Sequence, residues 1–173
     1  ETPQGVLAVC EMPACSVEEL LATGKMLLVL DRVGDPGNIG TMLRTADAAG
    51  LGGLVLLKGS ADIYAPKTVR ASMGSLFHLP VIGGVSEAEL ISSARKAGYE
   101  LLVTCLDGAD NLYKADLRGR LAFVMGNEAN GVTESLLAAA DKRVFIPMQG
   151  RAESLNVAMA AGVVMFEALR QRL

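Results

Sequence analysis

Short runs of consecutive apolar residues recur along this chain, separated by stretches in which apolar positions return every three or four residues. The first pattern belongs to strands covered on both faces, the second to the helices that cover them. Their alternation predicts an α/β domain, a mostly parallel sheet with helices on both faces. Strands are expected at 5–9, 27–31, 54–57, 79–82, 100–106, 121–125 and 143–146. Helices are expected at 17–22, 38–49, 66–72, 87–97, 133–139 and 154–170. No repeat or low-complexity tract interrupts the pattern, so residues 1–173 read as one domain.

The last helix departs from the rest. Ser154-Leu-Asn-Val-Ala-Met-Ala-Ala-Gly-Val-Val-Met-Phe166 is apolar almost all the way round. A helix without a polar face must be covered on every side, either by its own core or by a second subunit. At the end of so small a domain the second covering is expected from another copy, a homodimer through this helix.

Composition narrows the class. With 51% hydrophobic and 20% charged residues the chain is globular rather than disordered. No apolar stretch reaches the length of a membrane span and no signal peptide is evident, so a cytoplasmic protein without membrane association is expected. Cys10, Cys15 and Cys105 are odd in number and lack CxxC spacing, which indicates neither a disulfide framework nor a zinc site. The net charge of −3 does not mark a general nucleic-acid binder and leaves room only for a local basic patch or a separate RNA-gripping segment. At 4% aromatic residues, a base-stacking platform is not expected. His78, the only histidine, sits in Leu-Phe-His-Leu-Pro and is expected to pack, which argues against a Ser-His-Asp triad or a His-rich metal site. No GxGxxG is present to support a dinucleotide site.

Three loops follow expected strands, where ligands bind in open α/β sheets. In the first, Pro36-Gly37 leads into a helix that Asn38 can cap, with Arg44 about two turns on; alone, this reads as a capped helix with a solvated arginine. The second, Met125-Gly-Asn-Glu-Ala-Asn-Gly131, has the glycine spacing of a phosphate-binding P-loop, but Val132 stands where the lysine belongs. Its Glu128 is either a solvated carboxylate or a site residue. The third, Ile146-Pro-Met-Gln-Gly-Arg-Ala-Glu-Ser-Leu-Asn156, offers Ser154 as a helix N-cap. Asn156 in the following turn is a poor helix former unless its amide has another task.

Asn38-Ile-Gly-Thr-Met-Leu-Arg-Thr-Ala46, Val124-Met-Gly-Asn-Glu-Ala-Asn-Gly131 and Ile146-Pro-Met…Ser154-Leu-Asn-Val157, in this order and spacing, resemble the three signature motifs of the SpoU (TrmH-like) family of RNA ribose 2′-O-methyltransferases, within the SPOUT superfamily. The resemblance runs from Leu27 to the end. Thr2-Pro-Gln-Gly-Val-Leu-Ala-Val9 is also similar to the stretch where such catalytic domains begin after an N-terminal RNA-binding domain, which leads to the expectation that this domain is missing from the chain.

The resemblance implies a C-terminal trefoil knot, which general topology rules make an exception. It implies S-adenosylmethionine held near Leu106, Gly126, Ile146, Met148 and Leu155, and dimers through the last helix. The implied reaction transfers a methyl group to a ribose 2′-hydroxyl of RNA, with 23S-type ribosomal RNA expected ahead of transfer RNA. Arg44 stands at the matching position for the 2′-hydroxyl, with Asn38 and Glu128 orienting it or the ribose. Ser154 and Asn156 shape the reacting face. Arg32, Lys67, Arg70 and Arg151 are the expected RNA contacts and should converge with Arg44 on phosphate. The competing readings are a knotted RNA-binding module without activity, and methylation of a small molecule or protein.

Overall fold

The computed structural model describes residues 5, 6 and 8–173. Seven strands form one sheet: β1 (Leu27–Leu30), β2 (Gly53–Leu57), β3 (Val81–Val85), β4 (Glu100–Thr104), β5 (Asp110–Asn111), β6 (Leu121–Met125) and β7 (Lys142–Phe145). Their spatial order is β3-β2-β1-β6-β4-β7-β5, and every pairing between them is parallel. The helices are α1 (Val17–Ala22), α2 (Pro36–Ala48), α3 (Pro66–Ser72), α4 (Glu87–Lys96), α5 (Glu134–Ala139) and α6 (Val157–Arg170).

The unbroken apolar runs are explained by the two-residue period of a strand, which sends neighbours to opposite faces. Leu28, Leu30, Leu54, Leu56, Phe123 and Met125 enter a core with α2 and α6. Leu27, Val29, Val55, Leu57, Ala122 and Val124 enter a second core with α1, α4 and α5. Because both faces are covered, neither set can be polar.

Several boundaries move. No strand forms at 5–9 among its described residues: Val6 and Val9 are 87% and 97% exposed, and apolar runs need a covering partner to become strands. Leu7 and residues 2–4 of the stretch resembling a domain start lie outside the described residues. The strand expected at 79–82 is β3, shifted to Val81–Val85, because Leu79 donates its NH to the Ser75 carbonyl just after a 3-10 turn and buries itself in the core. Strand β4 ends at Thr104, and Leu106 is exposed beyond it. The two-residue β5 is polar and too short to leave a pattern. Asp35, not Asn38, caps α2, accepting from the Gly37 NH at 2.5 Å, with Pro36 in the first turn where a missing NH costs nothing. Asn156, not Ser154, caps α6, accepting from the Ala158 and Met159 NH groups. His78 does not pack; its imidazole is exposed, 3.3 Å from the Asp47 carboxylate.

Helices α2 and α3 touch closely at Gly40, where an added Cβ would stand 2.6 Å from the Thr68 carbonyl oxygen and 3.0 Å from the Ser72 nitrogen. Gly40→Ala should therefore lower stability by about 1–3 kcal/mol through overpacking, although alanine is the better helix former by about 1 kcal/mol. Urea unfolding checks this, and an unchanged or raised midpoint would show that the two helices have room to spare.

Candidate active site

Four neighbouring strands, β1, β6, β4 and β7, end side by side, so the loops that leave them (31–35, 126–133, 105–109 and 146–156) are brought together above the sheet. This is the crevice at the strand C-termini where α/β folds place ligands.

Three polar side chains, two from these loops and one from the first turn of α2, form a relay. Asn156 donates Nδ2–H to the Asn38 Oδ1 at 3.1 Å, and Asn38 donates Nδ2–H to the Glu128 Oε1 at 2.9 Å. The Glu128 Oε2 accepts from the Gly34 NH at 3.3 Å. Asn38 is available for this because Asp35 has taken over the cap. Burial alone would raise the Glu128 carboxyl. Hydrogen bonds from Asn38 and from the NH groups of Glu128 itself, Gly34 and Asp35 outweigh it and hold the group below its ordinary 4.5. Glu128 is thus a carboxylate at neutral pH and can only accept. That fixes the direction of the relay: Asn38 must give its NH2 to Glu128, leaving its oxygen for Asn156, whose own oxygen faces the α6 NH groups.

Two clefts meet here. One, of about 200 Å³, is mostly apolar and is lined by Leu106, Ile146, Met148 and Leu155. Its neighbour, of about 390 Å³, is bordered by Gly126, Glu128 and Asn156. Thr104, Ser154, Leu155 and Ala160 line both. Of the ten residues singled out for catalysis and cofactor, nine line these clefts or belong to the relay, and Arg44 is the exception.

Arg44 follows Asn38 by six positions, which on a helix places it about 120° round and about 9 Å along. It is exposed and lines a separate groove with Thr41, Ala71 of α3 and Phe166 of α6. Among the described residues neither Asn38 nor Glu128 hydrogen-bonds to it, so of the two expected roles, orienting Arg44 or the ribose, no bond within the chain serves the first. They orient Asn156 instead. Arg32 pairs with Asp31 at 3.1 Å and Lys67 with Asp35 at 3.0 Å, both at the first loop, while exposed Arg70 and Arg151 lie on α3 and on the loop after β7. The Lys67 hydrogen bond is the main reason that the Asp35 carboxyl lies below its ordinary value.

The residues that tie the loops together were missed. Asp31, 0% exposed, accepts from the Thr133 NH at 2.7 Å and from the Arg32 Nε at 3.1 Å, lashing the β1 end to the end of the Glu128 loop. Asn127 donates Nδ2–H to the Arg32 carbonyl at 2.8 Å and accepts from the Ala129 and Asn130 NH groups. A charged residue closing the run Leu-Leu-Val-Leu-Asp31 was the available signal for the first. Gly126 serves the same loop: an added Cβ would overlap the backbone of Gly131 and Val132, so this glycine permits loop closure rather than clearing space for a ligand.

A depressed carboxylate stabilises the fold above its unfolded value and loses that contribution as pH falls through the folded one. Comparing wild type with Glu128→Gln by urea unfolding, the gap in stability should be constant from neutrality to about pH 4.5 and shrink below it. A gap that widens on acidification would overturn the ionised assignment.

Residues 25–166 match the model of the SpoU rRNA Methylase family. The chain is 42% identical over 166 residues to the 23S rRNA (guanosine(2553)-2′-O)-methyltransferase RlmP of Bacillus subtilis, covering 96% of this chain and 65% of that protein. It is similar in structure to the SpoU methyltransferase AviRb from Streptomyces viridochromogenes in complex with the cofactor AdoMet, at TM-score 0.86 and 37% identity over 94% of this chain and 66% of that one. The AdoMet-bound rRNA methyltransferase from Sinorhizobium meliloti gives TM-score 0.83 and 40% identity over 87% of this chain and 57% of its own. The chain spans 62–65% of the length of the first curated relatives it matches. With the family model matching most of its length, this chain belongs to the SpoU rRNA methylase family.

Proposed function

We propose that this protein transfers the methyl group of S-adenosylmethionine to a ribose 2′-hydroxyl of 23S-type ribosomal RNA, as the names of its relatives describe for them. The observation that carries the reading is the Asn156–Asn38–Glu128 relay at the meeting of two clefts. An RNA substrate of this kind puts the reaction in the cytoplasm. Among the described residues no helix is long and apolar enough to cross a membrane.

The residues present fit the cofactor. An apolar slot walled by Leu106, Ile146, Met148 and Leu155 suits a flat adenine and a desolvated sulfonium, and the adjoining cleft offers polar groups at Glu128, Ser154 and Asn156. When bound, S-adenosylmethionine supplies an electrophilic methyl group on a positively charged sulfur. Ser154, on the wall between the clefts, and Asn156, held by Asn38, shape the face on which the ribose is presented. Holding the 2′-oxygen in line replaces a costly encounter by a local one. The 2′-hydroxyl is a weak acid, so negative charge developing on its oxygen must be stabilised. Arg44 is assigned that role and a grip on phosphate. Arg32, Lys67, Arg70 and Arg151 are assigned to the RNA backbone. The exposed Lys67–Asp35 pair is weak enough to yield to phosphate.

A homodimer through α6 completes the proposal. Ala158, Ala161, Val164, Met165 and Ala168 are buried in the chain's own core, whereas Met159 and Phe166 remain 63% and 48% exposed on the outer side. Phe166 borders the Arg44 groove, so a two-fold partner on this face reaches the guanidinium that the chain's own relay does not. A trefoil knot in the C-terminal part, threaded through the loops after β6 and β7, is also inferred. Supporting it, the Gln171 side chain accepts from the Leu117 NH and donates to the Ala115 carbonyl, and Arg172 donates to the Gly119 carbonyl.

The test is calorimetry with S-adenosylmethionine and methyl transfer to 23S rRNA. Arg44→Ala should leave cofactor affinity within about twofold and lower transfer by roughly a hundredfold or more, the scale of one lost transition-state donor. Arg44→Lys should recover little, because a point ammonium does not replace a planar fork. Transfer at the parental rate would reduce Arg44 to a surface cation. Phe166→Glu would bury an unpaired charge in the proposed interface and should give folded monomer by sedimentation. An unchanged dimer would move the interface elsewhere.

A further inference from the structure

A third cleft, of about 350 Å³, opens between the edge strand β3 and the 58–64 loop that follows β2. Its floor carries Gly83 and Gly84, both exposed, and a Cβ added to either would meet no heavy atom within 4 Å. The glycines therefore keep open a strip of sheet that any side chain would fill. Exposed Lys58 and half-buried Tyr64 stand on the walls. Asp62 shapes their loop, its carboxylate accepting from the Tyr64 NH at 2.9 Å and its carbonyl from the Thr68 hydroxyl at 3.0 Å.

Arg32 connects this cleft to the active site. Its carbonyl is held by Asn127 of the Glu128 loop, while its side chain passes over Gly59, a lining residue of the cleft, where an added Cβ would meet the Arg32 Cγ at 3.1 Å. The backbone of Arg32 has φ of 55°, a left-handed conformation costly for a residue with a Cβ. Asp31 holds the guanidinium through Nε alone, and its two terminal nitrogens have no partner among the described residues. One lining cation, Lys58, with Arg32 beside the rim at Gly59, one aromatic ring and a bare glycine floor are the means by which proteins hold a nucleotide: charge for the phosphate, a flat surface and a ring for the base.

We propose that this cleft is a second nucleotide subsite, which takes a nucleotide of the same RNA strand flanking the methylated ribose. It rests on the methyl-transfer reading above. The test measures initial rates of methyl transfer to a 23S rRNA transcript at saturating S-adenosylmethionine, for wild type, Gly83→Val and Lys58→Ala. Gly83→Val fills the floor and should raise KM for RNA about tenfold, with kcat and cofactor affinity within about twofold. Lys58→Ala should raise KM and flatten the dependence of log KM on log salt by roughly 0.7–0.9, one phosphate contact. Thermal unfolding verifies that the variants fold; should Gly83→Val fail to, the salt slope of Lys58→Ala decides. An unchanged slope and KM in Lys58→Ala overturn the subsite. A wild-type protein that methylates no RNA overturns the functional reading, a different outcome from variants that match an active wild type.

Discussion

The ionised state of Glu128 sets the geometry of everything above the sheet. A carboxylate has no proton to give, so each amide along the relay must turn its nitrogen towards Glu128 and its oxygen away. The last oxygen in the line, on Asn156, meets the two NH groups that open α6. One charge on the loop after β6 thereby determines how the first residue of α2's inner face and the cap of α6 are oriented. The relay joins segments 90 and 118 residues apart, and its members are polar groups that would otherwise compete for water.

Beneath the relay, Asp31 and Asn127 perform the corresponding task for the backbone. A buried carboxylate is tolerable only when its oxygens are satisfied, and the Thr133 NH and Arg32 Nε satisfy those of Asp31. The same two bonds keep the loops after β1 and β6 at a fixed separation, with Asn127 clamping the Arg32 carbonyl between them. Parallel strand ends supply proximity, and these buried polar contacts convert it into a defined surface.

Charge is distributed rather than pooled. The chain carries a net −3, and the cations near the crevice are offset by carboxylates at Asp31 and Asp35. Such an arrangement gives weak general attraction for any polyanion and leaves recognition in the proposed function to local geometry. Arg44, unengaged by either carboxylate, lines one groove with the exposed Phe166 of α6, where the proposed catalysis and the proposed dimer meet.

The sequence by itself determined the α/β class, six helices to within a few residues and the loops that form the crevice, because two-sided burial writes itself as solid apolar runs and because ligand loops must follow strands; the individual crevice residues came from the resemblance to a known family. It misplaced elements where a pattern had no partner to act on. Val6 and Val9 look like a strand but have nothing to cover them, and the polar Asp110–Asn111 pairs with β7 without any apolar signature. Local sequence also gave the caps to Asn38 and Ser154, where Asp35 and Asn156 are equally capable residues and take them; the long-range bond of Asn38 to Glu128 shows what the release of Asn38 serves. Tertiary structure alone decided the strand order, the locking roles of Asp31 and Asn127, and the separation of Arg44 from the relay. Each depends on which segments become neighbours in space, a property that local periodicity does not carry.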